Sequence, residues 1–263
     1  MSKELIYVGA KTVIGMVHCL PLPGTSGFDG DYEKILEYAV RDAITLEKAG
    51  VNAIIVENMG DTPFRELLDK PQIVALTAAA ERVRKSVQIP IGIDAAFNDC
   101  EASLSIAAMC GADFVRVPVF VDTVIFTDGI MNPCARKCVG FRKQFGIEHV
   151  KILADVQVKH TYMLNSGITI ELSAKDAVSN GADALIVTGS VIGEETPIDL
   201  IKRVKNVVKV PVLAGSGINE HNIDDQLKIA DGCIVGSSLK KDGILTNPID
   251  FDLVHNLIKA VKL

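Results

Sequence analysis

Eight short runs of β-branched and small apolar residues, each followed by a stretch of helical periodicity, restrict this chain to very few folds. The runs occupy residues 13–18, 53–57, 91–95, 114–118, 152–156, 184–188, 212–215 and 233–236. Continuous apolar runs of this length read as parallel strands buried on both faces. The intervening helices are predicted at 32–49, 73–86, 101–110, 133–145, 171–180, 197–207, 223–228 and 253–261. In the first, Ile35, Leu36, Ala39, Ala43 and Leu46 recur at the three-to-four-residue spacing of one helix face. Gly50, Gly111 and Gly181 stand where a helix exit needs a positive φ. Thr196-Pro197-Ile198-Asp199 reads as a helix start with Thr196 as the cap and Pro197 in the first turn.

Eight βα units with no break in composition predict an α/β fold, a single (β/α)8 TIM barrel spanning residues 1–263 as one domain. A doubly wound open sheet is the competing architecture. It would put a ligand crevice at a change of strand order, and no G-x-G-x-x-G follows the first run. Two connections exceed the usual few residues, 119–132 and 159–170, and are expected to act as lids or oligomer contacts.

Composition narrows the partners. The formal charge is −6, with 27 basic and 33 acidic residues and no Trp, and no basic run stands out, which argues against nucleic acid and anionic membranes. An anionic ligand remains compatible, because backbone N–H groups make anion sites without net positive charge. No stretch approaches the about 18 apolar residues of a membrane span. The N-terminal stretch lacks the pattern of a signal peptide, so a cytoplasmic protein is expected. Six scattered Cys, with Cys134 and Cys138 four apart on a predicted helix, lack zinc spacing and read as reduced thiols. A mean hydropathy of +0.29 leads us to expect a homo-oligomer.

Barrels of this type carry their sites at the C-terminal strand ends. The first six runs end in His18, Glu57, Asp94, Arg116, Asp155 and Thr188. Two residues earlier stand Met16, Ile55, Gly92, Phe114, Leu153 and Ile186. Period-two alternation turns both sets inward and leaves Val17, Val56, Ile93, Val115, Ala154 and Val187 for the helices. The first five strand ends, with Lys159 beyond the fifth run, form the candidate catalytic set. Strand-end ion pairs that only stiffen the barrel, Arg116 with Asp94 or Asp155, are the competing reading. Burying so many ionisable groups without a use is costly, which favours function. Lys159 and His160 open the second long loop, and a lysine there can anchor an anion or attack a carbonyl.

Gly215, Ser216 and Gly217 follow the seventh run, and Gly236, Ser237 and Ser238 the eighth. Paired turns of this kind after the last two strands present backbone amides to a phosphate. A third glycine loop, Thr188-Gly189-Ser190-Val191-Ile192-Gly193, can close over the same ligand. His18, Glu57, Asp94 and Asp155 come from four separate runs, so no metal is assigned, and the cofactor is left unknown.

Several segments together resemble the BtpA/SgcQ family. They are Gly15-Met16-Val17-His18 with Leu20-Pro21-Leu22-Pro23-Gly24, Val56-Glu57-Asn58, Ala154-Asp155-Val156-Gln157-Val158-Lys159-His160, Ala182-Asp183-Ala184-Leu185-Ile186-Val187-Thr188-Gly189 and the loop through Ile218. The resemblance implies a ribulose-phosphate-binding type of barrel. The family takes its name from photosystem I biogenesis in cyanobacteria, and other members resemble products of bacterial sugar-uptake gene clusters. The resemblance supplies fold and ligand class but no mechanism. This chain departs from it in the sixth loop, where Ile192-Gly193 replaces an expected second Thr-Gly.

The reading that follows is an enzyme of isomerase, epimerase or aldol-lyase type on a small phosphorylated metabolite. Glu57, Asp94 and Asp155 are candidates for proton transfer. His18 is a partner acid or orienting group, and Lys159 and Arg116 stabilise an oxyanion. A non-catalytic assembly factor that binds a partner protein or phosphorylated ligand is the alternative. A nucleotide or flavin held by its phosphate is a third.

Overall fold

Alternate residues of a strand face opposite ways, and here that alternation sorts the apolar side chains into two separate cores. The computed structural model describes residues 6–189 and 195–262. Its strands are β1 (Thr12–His18), β2 (Ala53–Glu57), β3 (Ile91–Asp94), β4 (Phe114–Val117), β5 (Val124–Phe126), β6 (Gly129–Met131), β7 (Lys151–Val156), β8 (Tyr162–Met163), β9 (Ala184–Val187), β10 (Val212–Ala214) and β11 (Gly232–Val235). The helices are α1 (Tyr32–Ala49), α2 (Lys70–Ser86), α3 (Cys100–Cys110), α4 (Ala135–Gln144), α5 (Ile170–Ser179), α6 (Ile198–Lys205), α7 (Ile223–Ile229) and α8 (Phe251–Ala260). Eight parallel strands close into a barrel in the order β1-β2-β3-β4-β7-β9-β10-β11, with β11 returning to β1. This is the (β/α)8 architecture predicted from the eight runs.

Inside the barrel lies a small core of Ile14, Met16, Ala53, Ile55, Phe114, Leu153, Ala184, Ile186, Leu213 and Ile234. Val17, Val56, Ile93, Val115, Ala154 and Val187 belong instead to the large core between strands and helices. The predicted parity holds at every one of these positions. Gly92 completes the inner layer by having no side chain, since a Cβ there would lie 2.2 Å from the Phe114 ring. Gly50, Gly111 and Gly181 turn the chain out of its helices at φ of 105°, 66° and 99°, as their positions require.

Several helix starts shift by one to three residues from the sequence reading, and two of them have a clear physical reason. Helix α2 begins three residues early, because Pro71 opens its first turn and Gln72 accepts the Asp69 N–H at 2.8 Å. Thr196 does not cap α6, whose cap is Pro197. The Thr196 hydroxyl is buried and reaches the carbonyls of Val187 (3.2 Å) and Ser216 (3.1 Å) instead. Those carbonyls also accept the Gly215 and Thr196 N–H groups, so the buried hydroxyl serves their remaining lone pairs and leaves the helix amides to water.

The two long connections are not plain loops. Strands β5 and β6 form a hairpin, and β8 pairs antiparallel with β5, so both connections join in one three-stranded sheet at the barrel mouth. Asn98 secures its base by exchanging two hydrogen bonds with the Val119 backbone (3.1 and 2.8 Å). On the other side, Lys240 is buried and 3.3 Å from Asp42 of α1, and it donates to the Asn247 carbonyl at 2.8 Å. That pair fastens the chain just beyond Ser238 to the barrel wall. No helix among the described residues is long and apolar enough to cross a membrane.

Gly92→Ala should lower folding stability by roughly 1–3 kcal/mol through overpacking. Adding Phe114→Leu should recover part of that loss, read from urea midpoints. Additive losses in the double variant would count against the steric account.

Candidate functional site

The strand ends meet in one cavity of about 580 Å³. It is lined by His18, Glu57, Asp94, Arg116 and Lys159 on one part of its wall and by Gly215–Ile218 and Gly236–Ser238 on another. Five of the six candidate catalytic residues and all six candidate phosphate residues therefore share a single space. Asp155 is the exception, lying behind Arg116.

Strand register explains the acidic cluster. His18 pairs with Glu57, and Glu57 with Asp94, on adjacent parallel strands. The His18 Nε2 is 3.4 Å from a Glu57 oxygen. Asp155 spends both carboxylate oxygens on Arg116, at 2.9 and 2.8 Å, in a two-pronged fork. The expected stiffening ion pair thus exists at Arg116–Asp155, and it takes Asp155 out of contact with the cavity. Arg116 lies only 3.6 Å from Asp94 as well, but makes no hydrogen bond to it. Both Asp94 oxygens and the His18 Nδ1 are buried without a partner among the described residues.

These surroundings divide the two cavity carboxyls. Burial, then repulsion from Glu57, drives the Asp94 carboxyl well above its ordinary range despite Arg116 nearby. Burial also pushes Glu57 upward, but His18, Arg116 and Lys159 outweigh it and hold this carboxyl below its ordinary value. Their surroundings thus push the proton affinities of these neighbouring carboxyls apart. Burial, with Arg116 close by, brings the Lys159 ammonium down to about 8 even though Asp155 and Glu57 oppose the shift.

The two candidate phosphate turns touch. Ser238 Oγ donates to the Ile218 carbonyl at 2.5 Å. The backbone N–H groups of Gly217, Ile218, Ser237 and Ser238 have no hydrogen-bond partner among the described residues. Close packing forbids a side chain at Gly215, where a Cβ would lie 2.4 Å from Ile186, and Gly217 adopts φ +66°. The Ser216 hydroxyl is engaged, accepting the Gly189 N–H at 2.7 Å. What these turns offer the cavity is therefore chiefly backbone amides and the Ser237 hydroxyl. Thr188 lies outside the cavity wall and uses its hydroxyl to accept the Lys159 N–H at 3.1 Å. The variable part of the sixth loop, residues 190–193, lies outside the described residues.

Sequence reasoning missed the aromatic part of the cavity wall. Phe64, Phe97 and Phe126 line the cavity there, with the Phe97 and Phe126 rings stacked at 4.3 Å. They come from three connections and carry no local spacing that would join them. It also missed the clamp made by Asn58, whose amide exchanges hydrogen bonds with both backbone groups of Ala96 (2.7 and 2.9 Å). Asn58 also donates to Asp61 at 3.0 Å, and Asp61 in turn accepts the Leu22 N–H at 2.7 Å. The resemblance segments through Leu22 and Asn58 thus hold the rim beside His18 and Glu57. No group of three or more His, Cys, Asp or Glu among the described residues is arranged to hold a metal ion.

A closed (β/α)8 barrel with an ionisable mouth beside two glycine turns defines the class of this protein. Its sequence places it more narrowly: residues 9–263 match the BtpA family model, and the chain belongs to that family. An uncharacterised protein of Pyrococcus furiosus is 40% identical over 250 residues, covering 95% of this chain and 94% of its own. The photosystem I biogenesis protein BtpA of Synechocystis is 34% identical over 252 residues, covering 95% and 87%. Among solved structures, tryptophan synthase of Mycobacterium tuberculosis superposes with a TM-score of 0.63 at 17% identity, covering 96% of this chain and 94% of that one. N-(5'-phosphoribosyl)anthranilate isomerase of P. furiosus gives 0.58 at 17%, covering 96% and 98%. N-acetylmannosamine-6-phosphate 2-epimerase of Clostridium perfringens gives 0.58 at 14%, covering 90% and 91%. At these identities the structural likeness establishes the fold.

The raised Asp94 carboxyl makes a prediction about stability. An acid that holds its proton more tightly when folded contributes fully below the ordinary carboxylate pKa, and that contribution is lost as pH rises toward its folded value. Asp94→Asn keeps the shape and removes the titration. The variant should match wild type near about pH 4 and exceed it near about pH 8, the gap growing by at most about 1.4 kcal/mol per pH unit. Urea midpoints at the two pH values test this, and a gap independent of pH would contradict a neutral Asp94.

Proposed function

We propose that this protein is an enzyme of isomerase, epimerase or aldol-lyase type acting on a small phosphorylated metabolite. The observation that carries the reading is the pair Asp94 and Glu57. Their surroundings raise the proton affinity of one and lower that of the other, on adjacent strands, in a cavity whose wall also carries backbone amides without a partner among the described residues. Neighbouring groups with divergent proton affinities suit acid and base roles. In this reading the amides around Gly217 and Ser237 hold the phosphate. Glu57 takes a proton from a carbon next to a carbonyl, Asp94 donates to oxygen, and Arg116 stabilises the charge that develops there. His18 orients Glu57. Asp155 acts as a positioning residue that fixes Arg116, a role different from the proton transfer expected of it. The aromatic wall limits the water that reaches the reacting atoms. The structural neighbours N-(5'-phosphoribosyl)anthranilate isomerase and N-acetylmannosamine-6-phosphate 2-epimerase, by their names enzymes of phosphorylated sugars, agree with this class of substrate.

The assembly-factor reading has one observation in its favour besides the name of the Synechocystis relative. The sheet at the mouth exposes Ile125, Ile130, Tyr162 and Leu164, an apolar surface available to a partner protein. The open cavity, with an Asp94 carboxyl that has no hydrogen-bond partner among the described residues, favours the enzyme, since an assembly surface has no need of it.

Turnover should be sought across phosphorylated aldoses, ketoses and amino sugars by a coupled or NMR assay. For a substrate so found, Glu57→Gln and Asp94→Asn should each lower kcat by about 10²–10⁴-fold, with inorganic phosphate inhibiting competitively. Unchanged turnover in both variants would remove the assignment.

A further inference from the structure

Lys159 is placed for more than supplying charge. It lines the cavity, and its ammonium makes no ion pair or side-chain hydrogen bond with a described residue, whereas the neighbouring Arg116 is held by its fork to Asp155 and lies 3.6 Å from Asp94. A lysine kept only to balance carboxylates would be paired with one. The backbone around it is fixed from several sides. Gln157 and His160 adopt φ of 52° and 66°, a region that costs a non-glycine residue energy. Gln157 donates to the Ile168 carbonyl and to Ser173 Oγ, each at 3.1 Å, Thr161 Oγ1 reaches the Val158 carbonyl at 2.7 Å, and Lys159 donates its own N–H to Thr188. A strained turn held by four hydrogen bonds aims one flexible side chain into the space shared with Asp94 and Glu57.

We propose that Lys159 is a nucleophile that forms a Schiff base with the carbonyl carbon of a phosphorylated aldehyde or ketone. The proposal rests on the phosphate-metabolite reading for its substrate class. The Nζ lone pair adds to the carbonyl carbon, and the C=O π electrons move to oxygen, which takes a proton from Asp94. Nitrogen loses a proton to Glu57. Glu57 returns that proton to the hydroxyl, which leaves as water as the C=N⁺ bond forms, so one amine, one carbonyl and the proton given by Asp94 yield one iminium and one water. The iminium withdraws electrons from the adjacent carbon, whose proton or carbon–carbon bond is then released. An amine reacts only when unprotonated. The groups facing it are Arg116, Asp155, Glu57 and His160, and the net effect of burial and Arg116 over the two carboxylates leaves it half unprotonated near about pH 8.

The test uses the intact wild-type protein with glyceraldehyde 3-phosphate and sodium borohydride, which delivers hydride to the iminium carbon and leaves a stable secondary amine. Peptide mass spectrometry then locates the added mass. Lys159 should be labelled about tenfold or more faster than exposed Lys85, because far more of it is unprotonated at about pH 8. Its rate should rise through that pH, and a Lys159→Arg variant with an unchanged circular dichroism spectrum should lose the label. Excess inorganic phosphate should slow the reaction, and glyceraldehyde should label Lys159 more slowly than its phosphate. Selective labelling that ignores phosphate would sustain the Schiff base while removing the phosphate site. Labelling of Lys159 no faster than Lys85, with phosphate binding still seen by calorimetry, would overturn the Schiff base and leave the phosphate reading intact.

Discussion

Everything distinctive about the mouth of this barrel follows from how one buried guanidinium is shared. Arg116 gives its fork to Asp155 and only a more distant face to Asp94. The fork cancels one charge of each sign without help from water, as a buried pair must. Glu57 keeps its charge through His18, and Asp94 is then the carboxyl with no compensation left, so a proton is its cheapest partner. The same guanidinium disfavours a second cation at Lys159. Burial, this salt bridge and the His18–Glu57 contact together set the proton affinities of three neighbouring groups apart, and a lysine in place of Arg116 could not reproduce the planar fork.

How much of this was written locally in the chain can be judged residue by residue. The alternation Met16-Val17-His18 or Leu153-Ala154-Asp155 announces which side chain faces inward, because a strand has only two faces. The glycine exits are equally local, as they follow from the absence of Cβ. Whether Asp155 faces Arg116 or open space depends on the distance between two strands, and no periodicity encodes that. The hairpin between residues 119 and 132 was unreadable for a related reason. Its strands are three residues each, and they gain their pairing from Tyr162 and Met163, some 30 positions on. Thr196 was misassigned as a cap because its motif is genuine, while the competing acceptors at Val187 and Ser216 come from other strands.

The inner core also separates rigidity from chemistry. Below the mouth, Phe114 fills the place vacated by Gly92, and ten apolar residues pack without charge. One inward position further along, five of the eight columns carry His18, Glu57, Asp94, Arg116 and Asp155, and the other three Thr188, Gly215 and Gly236. The step from apolar floor to charged rim takes two residues of strand, about 6–7 Å. That floor allows the rim to hold unsatisfied groups such as Asp94 and His18 Nδ1 without loosening, since dense packing below fixes their backbones.

Unpaired polar groups held in a rigid, water-poor site lower stability, and a chain that needed only a scaffold would gain by replacing them. Here the cost recurs within one cavity: a carboxyl kept neutral, an amine kept from its carboxylates, and a turn at Gln157 and His160 held at positive φ. The first lies at the end of β3 and the other two in the connection after β7, so separate parts of the chain contribute them. Their convergence beside two amide-bearing turns is what a surface for protein assembly would have no reason to maintain. Sites that carry out reactions combine such features because a reacting group must be poorly satisfied before its substrate arrives.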